Sequence, residues 1–428
     1  LFIPICLETL FYMLSGMVDT LMLSAVGDYA VGAVGTANSY IGIFIIMFSI
    51  ISSGMVSVMT QNIGAGRPGV AYQARQLGLL FNAVAGVLMA VFLFSGAGAI
   101  LRMVGIADAL YEPALIYLKI VGGGCILNAV IPIFSSYLRA FGYTKQPLYA
   151  TIVGNIANFV MNAVFLFVLH KGVAGVAAAT VISKILNLCI VLYFSHKLIS
   201  AKNSTERIAN KTVLGQIVKV GLPSACETAL YNVAMMLVIR FLNQMDAEGL
   251  NVTARSYTAT ISNFSYCVGA ALAQANAIMT GWHIGAGELE ECDRGTKRAA
   301  FVGVCVAVCM ETAIVLGSGF IMPLFTDNPE MTALVRKLLA IDIVLEIGRV
   351  TNLVFGQALK TSGDAVFPAV IAAVFMFVFA VGGTWLFGIS MGLMAVGAYI
   401  GLASDECVRA VGMVWRWKTG KWRTKKLV

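Results

Sequence analysis

The chain has 428 residues, of which 59% are hydrophobic and 12% charged, where an ordinary soluble domain carries about 25% charged residues. That balance excludes a soluble globular protein. The net charge of +8 does not mark a nucleic-acid binder either, because the basic residues are distributed among the connections between apolar runs.

Twelve apolar runs are predicted to cross a membrane: 1–24, 31–59, 77–101, 114–138, 147–169, 173–195, 213–243, 254–279, 299–322, 332–359, 366–388 and 391–415. Each meets the span requirement of about 20 residues. None alternates with period two, and lipid-facing irregular backbone would leave amides unsatisfied, so all are read as helices. The chain opens on Leu1 inside a span without a cleavable signal peptide, and a short cytoplasmic segment is expected ahead of it.

In the first span, Glu8, Tyr12, Ser15 and Asp19 are spaced four, three and four apart, which places them on one helix face. Asn155, Asn158 and Asn162 form a similar stripe on the fifth span, and Thr180, Ser183 and Asn187 another on the sixth. Lys119 and Lys184 are single intramembrane lysines, expected to snorkel or to meet a local carboxylate. The polar stretch 196–212 reads as a cytoplasmic linker between an N-terminal lobe, 1–195, and a C-terminal lobe, 213–415. In the second lobe Glu227 and Tyr231 share a face of the seventh span. Asp342, Glu346 and Arg349 follow at spacings of four and three on the tenth, where Arg349 is placed to neutralise Glu346. Asp405, Glu406 and Arg409 are read as a structural charge cluster at the cytoplasmic end of the last span. The tail 416–428 pairs basic residues with Trp417 and Trp422, as an anchor on the inner leaflet would. The nine cysteines show no CxxC or Cys/His spacing, and even Cys305 and Cys309, four apart, read as packing residues.

The two lobes are copies. Pro4-x-x-x-Glu8-Thr9-x-x-Tyr12 returns as Pro223-x-x-x-Glu227-Thr228-x-x-Tyr231. Ile63-Gly64-Ala65-Gly66 returns as Ile284-Gly285-Ala286-Gly287, and Leu138-Arg139-x-x-Gly142 as Leu359-Lys360-x-x-Gly363. The architecture repeats but the chemistry does not: Asp342, Glu346 and Arg349 fall opposite Val121, Cys125 and Asn128, and Asp19 falls opposite Val238. Six spans per copy give both halves the same sense in the membrane, as in parallel-repeat carriers. Connections after odd-numbered spans carry only Arg102, Lys171 and Arg255, whereas those after even-numbered spans are basic, so both termini are expected in the cytoplasm.

A carboxylate, amide oxygens and a hydroxyl make an oxygen-rich site in the first lobe, suited to sodium or to a proton on Asp19. The alternative is that Asp19, about 8 Å from the helix end at 1.5 Å per residue, snorkels while the amides join helices. In the second lobe Asp342 and Glu227 have no evident partner in sequence, and a desolvated carboxylate can trade its proton for a cationic substrate.

These residues resemble the MATE (multidrug and toxic compound extrusion) transporters. The likeness rests on Pro4 with Val18-Asp19-Thr20-Leu21-Met22-Leu23-Ser24, on Gln61-Asn62-Ile63-Gly64-Ala65-Gly66 and on Leu138-Arg139-Ala140-Phe141-Gly142. Gly154-Asn155-Ile156-Ala157-Asn158 through Asn162, with Gly172-Val173-Ala174-Gly175, adds to it. The resemblance implies an all-α integral membrane fold, twelve transmembrane helices in two pseudo-symmetric six-helix lobes around a central cleft. It implies export of mostly cationic organic compounds against inward sodium or protons. It places Asp19, Asn158 and Thr180 at the coupling-cation site together with Asn162, where many members carry aspartate. Asp342, Glu346 and Glu227 resemble acids that some members place on the tenth and seventh helices, and with Tyr231 and Arg349 on the same faces they make up the expected substrate or second-lobe ion site.

The expected activity is therefore secondary antiport in the cell membrane, by a monomer with no cofactor beyond the coupling ion. Its partners are small organic substrates and lipid, with no nucleic acid. A flippase for a lipid-linked precursor is the alternative, although a phosphate-bearing lipid would call for more intramembrane Arg and Lys than acid. An enzyme is not expected: His170, His196 and His283 lie near span ends with no HExxH or Ser/His arrangement.

Overall fold

Glycine fixes where the spans stop. Gly66 and its repeat counterpart Gly287 have φ of 73° and 79°, and Gly142 and Gly363 have φ of 86° and 97°, left-handed values that only glycine adopts without strain. The repeat therefore keeps these positions for backbone reasons. A computed structural model describes residues 1–103, 106–200, 204, 206–246 and 249–428, with the side chains of Asp28 and Leu324 left aside. The linker residues Lys202 and Asn203 lie outside the described residues.

The chain forms α1 (Phe2–Ser24), α2 (Asp28–Gly64), α3 (Pro68–Met103), α4 (Asp108–Gly123), α5 (Cys125–Ala140), α6 (Lys145–Ala163) and α7 (Gly172–Leu198). After these come α8 (Asn210–Met245), α9 (Leu250–Ala286), α10 (Leu289–Ile321), α11 (Pro329–Thr361), α12 (Val366–Phe375) and α13 (Met394–Lys418). No strand occurs among the described residues. The expected fourth span is broken at Gly124 into α4 and α5, which bend by 41°. Counting that pair as one gives the twelve spans of the sequence reading. Its repeat counterpart, α11, runs unbroken because Leu345 stands where the first copy has Gly124. π-helical turns close both the fifth span, at Val164–Val168, and the eleventh, at Thr384–Ser390.

Among the described residues eight helices are long and apolar enough to cross a membrane, and the α4–α5 pair makes nine. Helices α9, α11 and α13 are long but more polar, and α11 packs on both of the others, so their polar faces are buried against each other. Two compact units result, Ile3–Gly221 and Leu222–Val428, dividing within α8. In the first, Leu93, Leu101, Leu118, Phe48 and Val176 share one apolar core. In the second, α10 turns Phe301, Leu316 and Phe320 outward while Glu311 on the same helix is completely buried.

The tail corrects the sequence reading. Trp417 and Trp422 are each 1% exposed and stack at 4.2 Å, and Trp417 Nε1 donates to Asp293 Oδ1 at 2.7 Å. They seal the end of the second unit instead of lying in a lipid interface. Arg416 pairs with Asp364 and Arg423 with Glu290, which holds the chain end down.

Candidate functional sites in the two units

In the first unit the three polar stripes line one cavity of about 580 Å³. Asp19, Tyr12 and Ser15 enter from α1, Asn155 and Asn158 from α6, and Thr180, Ser183 and Asn187 from α7. Asn162 Nδ2 donates to Asp19 Oδ1 at 2.8 Å and to Asn158 Oδ1 at 3.1 Å. Asn155 Nδ2 donates to the Phe11 carbonyl at 2.9 Å, which pins α6 to α1. Thr180 spends its hydroxyl proton on the Val176 carbonyl, leaving its lone pairs available as acceptors. Asn162 Oδ1 and Asn187 Oδ1 are buried acceptors without a donor among the described residues. Asp19, Asn158, Asn162 and Thr180 are thus brought together, and the set is rich in the oxygen that a hard cation needs.

One member of this cavity is not where the sequence reading put it. Lys184 neither snorkels nor meets a carboxylate in contact; its Nζ donates to Asn128 Oδ1 at 2.8 Å and it lines the Asp19 cavity. The signal was available, because Lys184 follows Thr180 by four and so extends the sixth-span stripe.

The acids kept by the repeat have a common role. Glu8 pairs with Arg139 at 2.5 Å, and Glu227 pairs with Lys360 at 2.8 Å. These are the same two repeat positions in each unit, so the motif preserves an ion pair tying the first span of each copy to the end of its fourth. Glu227 therefore has the partner that its own span did not reveal.

The second unit holds a cavity of about 440 Å³ lined by Glu227, Tyr231, Tyr266, Asp342, Arg349 and Tyr399, among others. Glu346 lies behind it, fully buried and bonded to Arg349. Arg349 also reaches Glu406 at 3.7 Å and lies 5.7 Å from the Tyr266 ring centre. Arg409 bonds Asp405 at 2.7 Å and Glu406 at 2.8 Å, and Asn352 donates to Glu406 at 3.0 Å. The Asp405–Glu406–Arg409 cluster is therefore part of the cavity wall near the middle of α13, and not a peripheral feature of its cytoplasmic end.

Glu311 is the residue that sequence reasoning missed. It stands alone in an otherwise apolar stretch of α10, and among the described residues neither of its carboxylate oxygens meets a hydrogen-bond donor. Oxygens of Glu311, Asp342 and Glu346 lie within 4.8 Å of one another. Asp342 Oδ2 and Glu346 Oε2 also lack donors. Such a trio can ligate a hard cation or share protons. Six carboxylates in this region, Glu227, Glu311, Asp342, Glu346, Asp405 and Glu406, face four cations, Arg255, Arg349, Arg409 and the Lys360 bonded to Glu227, so acids outnumber bases.

The MatE family model matches residues 4–164 and again 223–386, once in each unit. The chain belongs to the MATE transporter family. Its relatives include the uncharacterized transporter YisQ of Bacillus subtilis (strain 168), 32% identical over 99% of this chain and 94% of that protein. The probable multidrug resistance protein NorM of Thermotoga maritima is 20% identical over 100% of this chain and 92% of its own length. A crystal structure of MATE in the straight conformation superposes with a TM-score of 0.89 at 21% identity, covering 99% of this chain and 96% of that one. The MATE fold accounts for the twelve spans in two lobes and makes the protein a multi-pass membrane transporter.

Proposed function

We propose that this MATE transporter is a secondary antiporter that exports organic cations in exchange for inward sodium or protons. The observation that carries the reading is the second unit's cavity. Asp342 stands there among the Tyr231, Tyr266 and Tyr399 rings with net negative charge around it. Aromatic faces and an unneutralised carboxylate together select an organic cation over an anion or a neutral solute. Asp19, with Asn158, Asn162 and Thr180, is assigned to the coupling ion, while Glu346 and Arg349, bonded to each other beside Asp342, are assigned to the substrate site with Glu227 and Tyr231. The likeness to a probable multidrug resistance protein supports transport of small organic compounds. Both termini are placed in the cytoplasm by the positive-inside rule. The protein is taken to act as a monomer without a cofactor.

Binding drives transport only where affinities differ between the two access states. Charging or discharging Asp19 changes its bond to Asn162 and hence the α1–α6 contact, which gives the coupling ion a structural lever. The test is efflux of a fluorescent organic cation from proteoliposomes under an imposed sodium or proton gradient. Asp19→Asn is expected to abolish gradient-driven efflux while the folded protein still binds substrate. Asp342→Asn is expected to weaken substrate binding at least ten-fold. Efflux unaffected by either gradient, with transfer of a lipid-linked anion instead, would move the assignment to a flippase.

A further inference from the structure

We propose that Lys184 sets the ion selectivity of the Asp19 site, its ammonium acting as a tethered cation that excludes sodium. The proposal rests on the reading of Asp19 as the coupling residue. Lys184 is twelve residues from the start of α7 at Gly172 and fourteen from its end at Leu198. At 1.5 Å per residue that is about 18 Å from the nearer end, beyond the reach of a lysine side chain. The amine therefore cannot snorkel, and it must be satisfied inside the unit.

Its one hydrogen-bond acceptor among the described residues is Asn128 Oδ1, at 2.8 Å. Asn128 occupies the repeat position that Arg349 holds in the second unit. Both units thus place a fixed cation at this point in the fold, from α11 in one and from α7 in the other. The acids around it differ. In the second unit Arg349 faces Glu346 and Asp342, whereas their counterparts in the first are Cys125 and Val121. Glu8, the other carboxylate of the first cavity, is already bonded to Arg139. Asp19 is left as the acid that balances Lys184.

The charges lining the first cavity therefore cancel: Asp19 against Lys184, and Glu8 against Arg139. The other titratable side chains lining that cavity are the phenols of Tyr12 and Tyr117, which bring no formal charge. A sodium ion at Asp19 would enter a site with no net charge to attract it and would sit beside an ammonium ion. Oxygen ligands alone do not offset that repulsion in a medium of low dielectric constant.

The test is thermal unfolding of the purified full chain in detergent, titrated with sodium chloride against choline chloride. Wild type is expected to show no sodium-dependent stabilisation that Asp19→Asn removes. Lys184→Met, which is one heavy atom shorter, unbranched and uncharged, is expected to gain one, with apparent sodium affinity at least ten-fold above wild type. The gain is expected to vanish in Lys184→Met/Asp19→Asn. Lys184→Gln is a second charge-deleting variant in case the first does not fold. A sodium response in wild type that Asp19→Asn removes would overturn the proposal, and so would a folded Lys184→Met with no gain. If neither variant folds, wild type against Asp19→Asn still decides. The readout is binding, so a failed efflux assay with a positive titration would sink antiport and leave the Lys184 assignment standing.

Discussion

Replacing Glu311 by Gln tests whether the second unit's carboxylates hold a proton or cation at rest. The three side chains offer oxygens within 4.8 Å of one another. At an effective dielectric constant of about 20, each pair of full charges at that spacing repels by about 3.5 kcal/mol. Arg349 offsets one charge through its bond to Glu346, but Glu311 has no donor at either oxygen. Three ionised acids are therefore too costly without a bound proton or cation, and Glu311 is the member with least other support. Gln keeps the volume and removes the charge. Thermal unfolding of the Glu311→Gln protein is expected within about 3 °C of wild type, below roughly 1 kcal/mol for a unit of this size. Cation-dependent stabilisation is expected to be lost in the same samples. A fall of roughly 6 °C or more, about 2 kcal/mol, would mean that Glu311 is ionised and well paired in the native state, and would refute the argument.

Three other expectations follow from single contacts. Glu8→Gln or Arg139→Gln alone leaves the opposite charge poorly solvated and is expected to cost about 3 kcal/mol, with the double variant recovering part of it; a thermal-unfolding double-mutant cycle checks this, and additive losses would deny the pair. A Cβ on Gly348 would stand 2.7 Å from the Cys407 backbone nitrogen and 2.8 Å from the Glu406 carbonyl carbon. Gly348→Ala is therefore expected to push α13 off α11 at a cost of about 1–3 kcal/mol, seen as a lower unfolding temperature together with weaker substrate binding. Burial acts to raise the Asp246 carboxyl, but bonds from the Asn251 backbone and side chain, and from the Leu250 and Gly249 backbones, outweigh it and hold the carboxyl below its usual range. Its native value is below its unfolded value, so its contribution is present above about pH 4 and is lost as pH falls through the native value. Asp246→Asn is expected to lower the unfolding temperature at neutral pH by the equivalent of roughly 0.5 kcal/mol, small because the group is mostly open to water, and to match wild type in strong acid. A constant deficit across that range would show that charge is not what stabilises the start of α9.

Helical periodicity made much of the first cavity legible. Glu8, Tyr12, Ser15 and Asp19 share a face because 3.6 residues make a turn, and two further stripes had no apolar surface to hide behind. The span count came from bilayer thickness and the cost of bare amides in lipid, which are local properties of the chain. The repeat was legible as matched prolines and glycines, whose backbone requirement is also local: Gly66 and Gly287 both stop a helix with positive φ.

What the sequence left open were the partnerships between distant residues. Glu8 and Arg139 are 131 positions apart, and only the fold, by bringing α1 within reach of the end of α5, makes them one ion pair. Glu311 became part of a site because α10 turns it against Asp342 and Glu346, and Trp417 left the interface because Asp293, 124 positions away, offers it an acceptor. Lys184 is the sharpest case. Periodicity put it on the polar face of α7, but whether its ammonium met lipid headgroups, a carboxylate or an amide depended on what α5 placed opposite, and that was Asn128. Which helix faces meet is set by the packing of whole spans, and the electrostatics of each unit follows from that meeting.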